Sequence, residues 1–227
     1  MQILKITDWS ELNQIEEECY NLALLDLASR SNLYDHDLIK QILSNGFEAL
    51  SVYISPQTEQ KEIISYLKSK LEPWVHSKAE SSIDQVQEIA DLLYEEIAKI
   101  AISFLRSISA QKIHLQLESV RENTCTRFHV DYNEYRLLYT YSGKTTEYLL
   151  NESVDRRYLG TRNEKRIQKK DTQIQVVHPN QIAILKGIKK SATRAIVHKA
   201  PIYDNHPRLL LRIDSNPMLH IHHEKGR

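Results

Sequence analysis

Hydrophobic positions recur at intervals of three and four through the first 110 residues, and at intervals of two through the rest of the chain. This change of period predicts helices first and strands after. Asp8 and Glu11 are spaced as a capping box, and Trp9, Leu12, Ile15, Cys19, Leu22 and Leu25 continue at helical spacing to predict a first helix over 8–25. Leu38, Ile39, Ile42 and Leu43 precede Gly46, a helix stop. A further helix is expected over 58–71, ending before Pro73. The longest periodic run, from Ile83 through Val86, Ala90, Leu93, Ile97, Ala101, Phe104 and Leu105, can cover one face of a sheet. From Lys112 onward, Ile113, Leu115 and Leu117 open an alternating pattern, and short strand-like runs follow at 125–131, 135–141, 146–150, 172–177, 181–186, 193–198 and 208–214. Many short strands behind a helical layer predict an α+β fold, with N-terminal helices packed on a C-terminal jelly-roll or cupin-like barrel. Both layers need a partner for their apolar faces, so a single domain over 1–227 is expected, with 1–110 the helical layer and 111–227 the β core.

A chain of 227 residues buries a large core without disulfide or metal staples. Cys19 and Cys125 are far apart and form no framework of paired cysteines, which fits a reducing compartment, with the cytoplasm the expected location. The N-terminus lacks an apolar leader and no stretch reaches the length of a membrane span. Formal net charge is zero, yet residues 1–110 carry 9 Lys/Arg against 18 Asp/Glu while 111–227 carry 21 against 12. That asymmetry points to two faces that attract when packed, or to an anionic ligand for the basic half.

Candidate chemistry centres on His129-Val130-Asp131, followed by His198. In an extended strand residues i and i+2 share a face, so His129 and Asp131 can turn inward together while a second strand brings His198. Two neutral imidazoles and a carboxylate on one side of an ion form the open arrangement used by non-haem Fe(II) oxygenases. Cys125 opens an alternative, because a thiolate joining the three would close a tetrahedral shell suited to Zn²⁺. Direct ligation would need a bend, since i−4 lies roughly 13 Å away in a straight strand, and a small buried residue is the expected role.

The blocks Cys125–Tyr132, Arg136–Tyr141, Thr146–Leu149, Leu185-Lys186-Gly187, Ile196–Pro201 and Arg208–Asp214 together resemble the bacterial domain-of-unknown-function 1826 family. Gly143–Thr146 and Lys199-Ala200 depart from its usual pattern. The resemblance implies a double-stranded β-helix similar to that of 2-oxoglutarate oxygenases, and an association with metal homeostasis. Enzymes of that kind place a cation about ten residues after the second histidine to hold the distal carboxylate of the cosubstrate, and Arg208 stands there. Arg212 is the substitute, and Tyr139 and Tyr141 are candidate hydrogen-bond donors to the same 2-oxoglutarate. The expected function is Fe(II)- and 2-oxoglutarate-dependent oxygenation of an unidentified substrate, with a non-enzymatic zinc- or iron-binding protein as the alternative.

The stretch 156–170 holds seven bases and one acid, with Lys186, Lys189 and Lys190 adding to it. No recognition helix or RNA-binding aromatic signature accompanies it, so nucleic acid is set aside for a solvated loop or a lid over the site. His36 and His76 lack partners at ligand spacing, His178 precedes Pro179 in an expected turn with a structural role, and His220, His222 and His223 form a histidine-rich tail. No glycine-rich phosphate loop, G-x-S-x-G, H-E-x-x-H or C-x-x-C motif is present.

Overall fold

The computed structural model describes residues 2–27, 36–75 and 83–217. His76 and the tail histidines His220, His222 and His223 lie outside the described residues, as does the side chain of His36. In chain order the elements are β1 (Gln2–Ile6), a 3-10 helix (Trp9–Glu16), β2 (Tyr20–Asp26), α1 (His36–Ser44), β3 (Ala49–Ile54), α2 (Gln60–Val75), α3 (Ile83–Ser107), β4 (Ile113–Val120), β5 (Tyr135–Ser142), β6 (Glu147–Leu149), β7 (Gln175–Val176), β8 (Gln181–Lys186), β9 (Val197–Lys199) and β10 (Arg208–Ser215). They build a mixed α/β architecture with a seven-stranded sheet, ordered β1-β2-β8-β5-β10-β4-β3, and a three-stranded sheet, ordered β7-β6-β9.

The expected division into helices first and strands after does not hold. β1, β2 and β3 all come from the first 110 residues, and β1 and β3 form the two edges of the large sheet. The capping box is present, with the Asp8 N–H donating to Glu11 Oε1 at 2.9 Å and the Ser10 N–H to Asp8 Oδ1 at 2.8 Å. The helix it starts ends at Glu16, however, and 20–26 is a strand. Leu22 and Leu24 enter one apolar cluster while Ala23 and Leu25 enter another, so β2 is buried on both faces. A continuous apolar run of this kind carries no period-two signal, and its coincidence with helical spacing misleads.

The other helical expectations fare better. α1 stops where Gly46, at φ +92°, lets the Phe47 N–H reach back to the Ile42 carbonyl. α2 runs through Pro73 to Val75 rather than ending before it. α3 buries Val86, Ala90, Leu93, Ile97, Ala101 and Phe104 in the main core, against inward residues of the large sheet such as Leu115, Leu137, Leu211 and Ile213. Among the described residues no helix is long and apolar enough to cross a membrane.

The opposite face of the large sheet positions the site. Leu22, Leu24, Leu138, Ala183, Leu185 and Leu210 share a second cluster there with Tyr148 of β6, so the small sheet lies against this face. Strand parity then sorts the functional side chains: odd positions of β5 and β10 enter the helical core, while Arg136, Leu138, Arg208, Leu210 and Arg212 line a cleft on the other side.

Candidate metal centre

Cys125–Asp131 is not the regular strand that the alternation suggests. Cys125 sits at φ +50°, outside extended geometry, and its carbonyl accepts the Ala200 N–H at 2.9 Å. Four residues further on, His129 exchanges both backbone hydrogen bonds with His198 at 3.0 Å. Four residues on one chain thus span two on the other, so Thr126–Phe128 must bulge. The reciprocal bonding has a direct consequence for chemistry, because side chains of such an antiparallel pair project on the same side. The two imidazole centroids are 4.5 Å apart.

Asp131 completes the group. His129 Nε2 lies 3.7 Å from Asp131 Oδ1, and His198 Nε2 lies 3.4 Å from Asp131 Oδ2. One ligand atom from each of the three residues falls within 4.8 Å of the others, and among the described residues this is the group of its kind. The segment carrying Asp131 is clamped by the turn after β8, where the Gly187, Ile188 and Lys189 N–H groups donate to the carbonyls of Glu134, Asp131 and Asn133. A Cβ on Gly187 would collide with the carbonyl and Oδ1 of Asn133, so glycine is the residue that permits this approach.

Backbone carbonyls fix both imidazoles. His129 Nδ1 is 2.8 Å from the Arg127 carbonyl and His198 Nδ1 is 3.3 Å from that of Ile196. A carbonyl only accepts, so Nδ1 carries a hydrogen in each ring and Nε2 is the nitrogen turned toward Asp131. Burial pushes the His198 pKa down to about 4, which outweighs the opposing pull of Asp131 and keeps the ring neutral. Asp131 divides its carboxylate: Oδ1 takes the Arg136 Nη1 donor at 2.5 Å, while Oδ2 is buried without a hydrogen-bond partner. Arg136 in turn grips Asp214 from Nε at 2.6 Å and Nη2 at 3.1 Å. Burial opposes the guanidinium charge, and the two carboxylates more than restore it.

Among the other candidates, Arg208 reaches the cleft and Tyr139 and Tyr141 do not. Arg208 is 5% exposed, lines the cleft with both histidines, and leaves its buried Nε without a hydrogen-bond partner. Burial lowers its pKa to about 10, against the pull of Glu118. Gly143, at φ +91°, packs so close that an added Cβ would lie 2.7 Å from Arg208 Cγ. Arg212 also lines the cleft, but its fork is occupied by Gln116 Oε1 at 2.8 Å and Glu118 Oε1 at 2.9 Å. Tyr139 and Tyr141 project from the far face of β5 into the helical core, where their rings meet edge to face at 4.6 Å. This corrects the expectation of donors to a cosubstrate. Cys125 lines the cleft and is exposed rather than buried, and it stands outside the three-residue group. None of residues 156–170 lines the cleft, so the basic stretch is not a lid in this structure. Residue type and spacing do not single out Arg136 or Gly187, although both fall within the blocks that carry the family resemblance.

The model of a family described as "Protein of unknown function (DUF1826)" matches residues 7–214. The chain belongs to the DUF1826 family. No curated protein matches the sequence. Among solved structures, this DUF1826 member is similar to AtDAO1, the dioxygenase for auxin oxidation 1 from Arabidopsis thaliana, in its 2-oxoglutarate complex, at 11% identity and a TM-score of 0.45, covering 96% of this chain and 93% of that one. Full-length Neurospora crassa T7H in complex with alpha-KG aligns at 10% identity and a TM-score of 0.38, covering 95% and 84%. A putative oxygenase from Shewanella oneidensis aligns at 10% identity and 0.37, covering 96% and 90%.

Proposed function

We propose that this protein is a mononuclear non-haem Fe(II) oxygenase that uses 2-oxoglutarate, with the ion on His129, Asp131 and His198 of a double-stranded β-helix and the whole chain acting as one domain. The observation that carries the reading is Asp131 Oδ2. A buried carboxylate oxygen without a hydrogen-bond partner is costly, and this one lies 3.4 Å from His198 Nε2, while His129 Nε2 lies 3.7 Å from the neighbouring Oδ1. Nitrogen and oxygen ligands about 2 Å from one ion lie roughly 3 Å apart, and the two imidazole-to-carboxylate distances, 3.4 and 3.7 Å, come near that spacing. The donor set of two imidazoles and one carboxylate fits Fe(II) with positions left for other ligands.

Bound there, Fe(II) with 2-oxoglutarate supplies oxygen activation coupled to decarboxylation of the cosubstrate. The chain's own residues bind and orient. Arg208 offers a desolvated, uncommitted guanidinium to a distal carboxylate, which its planar fork can grip bidentately. Arg136 holds Asp131 so that Oδ2 faces the ion. The Arg127 and Ile196 carbonyls hold the imidazole tautomers. Leu138 and Leu210 give the cleft an apolar wall.

The second reading, a zinc- or iron-holding protein without turnover, uses the same ligands and draws on exposed Cys125 at the cleft wall. Elemental analysis of untagged protein, followed by titration of stripped protein with Fe(II) under nitrogen and with Zn²⁺, tests the site itself. One equivalent of metal in the wild type and none in His198→Ala supports it. Equal uptake by both proteins removes it.

A further inference from the structure

The basic stretch that the cleft leaves unused is a folded platform. Residues 151–170 form three 3-10 turns, at Asn151–Ser153, Arg156–Tyr158 and Glu164–Arg166. Their ends are tied by the Asp155 N–H to the Ile167 carbonyl and the Lys169 N–H to the Ser153 carbonyl, both at 2.8 Å. Val154 and Ile167 are buried with Leu149 and Val197, so the platform is anchored to the small sheet that carries His198. Arg156 donates to Asn151 Oδ1 and the Ala195 carbonyl, which fixes its base. The backbone that carries the cations is therefore ordered before any partner arrives.

The opposite charges of the two halves of the chain do not meet here. Lys190 pairs with Glu16 across the halves at 3.0 Å, but among the described residues the ion pair made by 156–170 is the local one between Arg157 and Asp155. Arg162, Lys165, Arg166, Lys169 and Lys170 are exposed. Lys165, Arg166, Lys169 and Lys170 surround a shallow concavity with Tyr158, whose ring has the Arg157 and Arg166 guanidinium carbons 5.8 and 5.5 Å from its centroid. No exposed large apolar side chain lies within 156–170, which disfavours both a membrane surface and a peptide partner that needs an apolar anchor.

We propose that this platform docks the phosphate backbone of a nucleic acid. Exposed cations clustered around a shallow concavity suit a repeating anion, since each phosphate neutralised releases counterions. Contacts of this sort give affinity without reading sequence. The inference stands on charge and geometry independently of the metal reading.

The test uses full-length protein and fluorescence anisotropy with a labelled 20-nucleotide single-stranded RNA, a 20-base-pair DNA duplex and vesicles containing anionic phospholipid. Micromolar binding of either nucleic acid at about 50 mM salt is expected, weakening steeply with salt. Lys165→Gln/Lys170→Gln should weaken it about tenfold and flatten the log–log salt slope by about two, with the melting temperature unchanged. Lys61→Gln/Lys99→Gln, which removes the same charge from the helices, should leave binding intact. Absence of nucleic-acid binding, equal loss in both double variants, or binding confined to vesicles would each overturn the proposal.

Discussion

Arg136 donates to Asp131 Oδ1 at 2.5 Å and thereby leaves Oδ2, 3.4 Å from His198 Nε2, as the oxygen free to meet a cation. The same guanidinium spans Asp214, so one half-buried cation is shared by two carboxylates. Removing it leaves Asp131 without its guanidinium, while Asp214 keeps the Asn133 amide at 2.8 Å and Arg212 Nε at 3.9 Å.

Arg136→Met is accordingly expected to lower metal affinity by about 10- to 100-fold, the usual cost of losing a group that orients a ligand. Metal-free protein should also lose about 3–5 kcal/mol of stability, because a broken buried pair leaves uncompensated charge. Arg136→Lys keeps the charge but not the fork, and should fall between. Calorimetric titration with Zn²⁺ and urea unfolding of the stripped protein measure the two effects separately. Unchanged metal affinity in Arg136→Met would show that the guanidinium does not set the carboxylate.

Gly143→Ala should separate cosubstrate from metal. Its added methyl meets Arg208 Cγ at 2.7 Å, and alanine is strained at φ +91°. A stability loss of about 1–3 kcal/mol is expected, with 2-oxoglutarate affinity reduced at least tenfold and metal stoichiometry retained. Parallel titrations with each ligand check it.

Gly187→Ala acts on the other side of the site. Its Cβ would press on the Asn133 carbonyl and Oδ1, displacing the turn that holds Asp131. Metal affinity and melting temperature should fall together, in contrast to Gly143→Ala, where metal affinity holds.

Tyr139→Phe provides the opposite case. The ring lies in the helical core on the far side of β5, so 2-oxoglutarate affinity should be unchanged whatever happens to stability. A tenfold loss of that affinity at constant melting temperature would mean that the sheet faces have been assigned wrongly.

What could be read from the residues depended on how sharply each signal is coupled to one face. The one-sided faces of α3 and β4 are plain in their periodicity, and the strands expected from 135, 181 and 208 start at those residues. β2 was hidden because burial on both faces removes alternation, and β1 and β3 because they are short edges flanked by helical runs. His129, Asp131 and His198 were legible as residue types, but not the reason they meet. That reason is a reciprocal backbone pair across a bulge, which depends on a left-handed Cys125 and a close-packed Gly187. The tyrosines were misplaced by one position of strand parity, the error to which period-two reasoning is most exposed. Arg208 and Arg212 could be told apart only by their neighbours, since Gln116 and Glu118 occupy one fork and leave the other available.

The most direct measurement is the visible absorption of stripped protein after anaerobic addition of Fe(II) and then 2-oxoglutarate. A weak charge-transfer band in the wild type, absent from Arg208→Ala although that variant still takes up one equivalent of iron, is the predicted result. Stoichiometric iron with no band in the wild type would contradict the oxygenase reading and leave a protein that holds metal without using it.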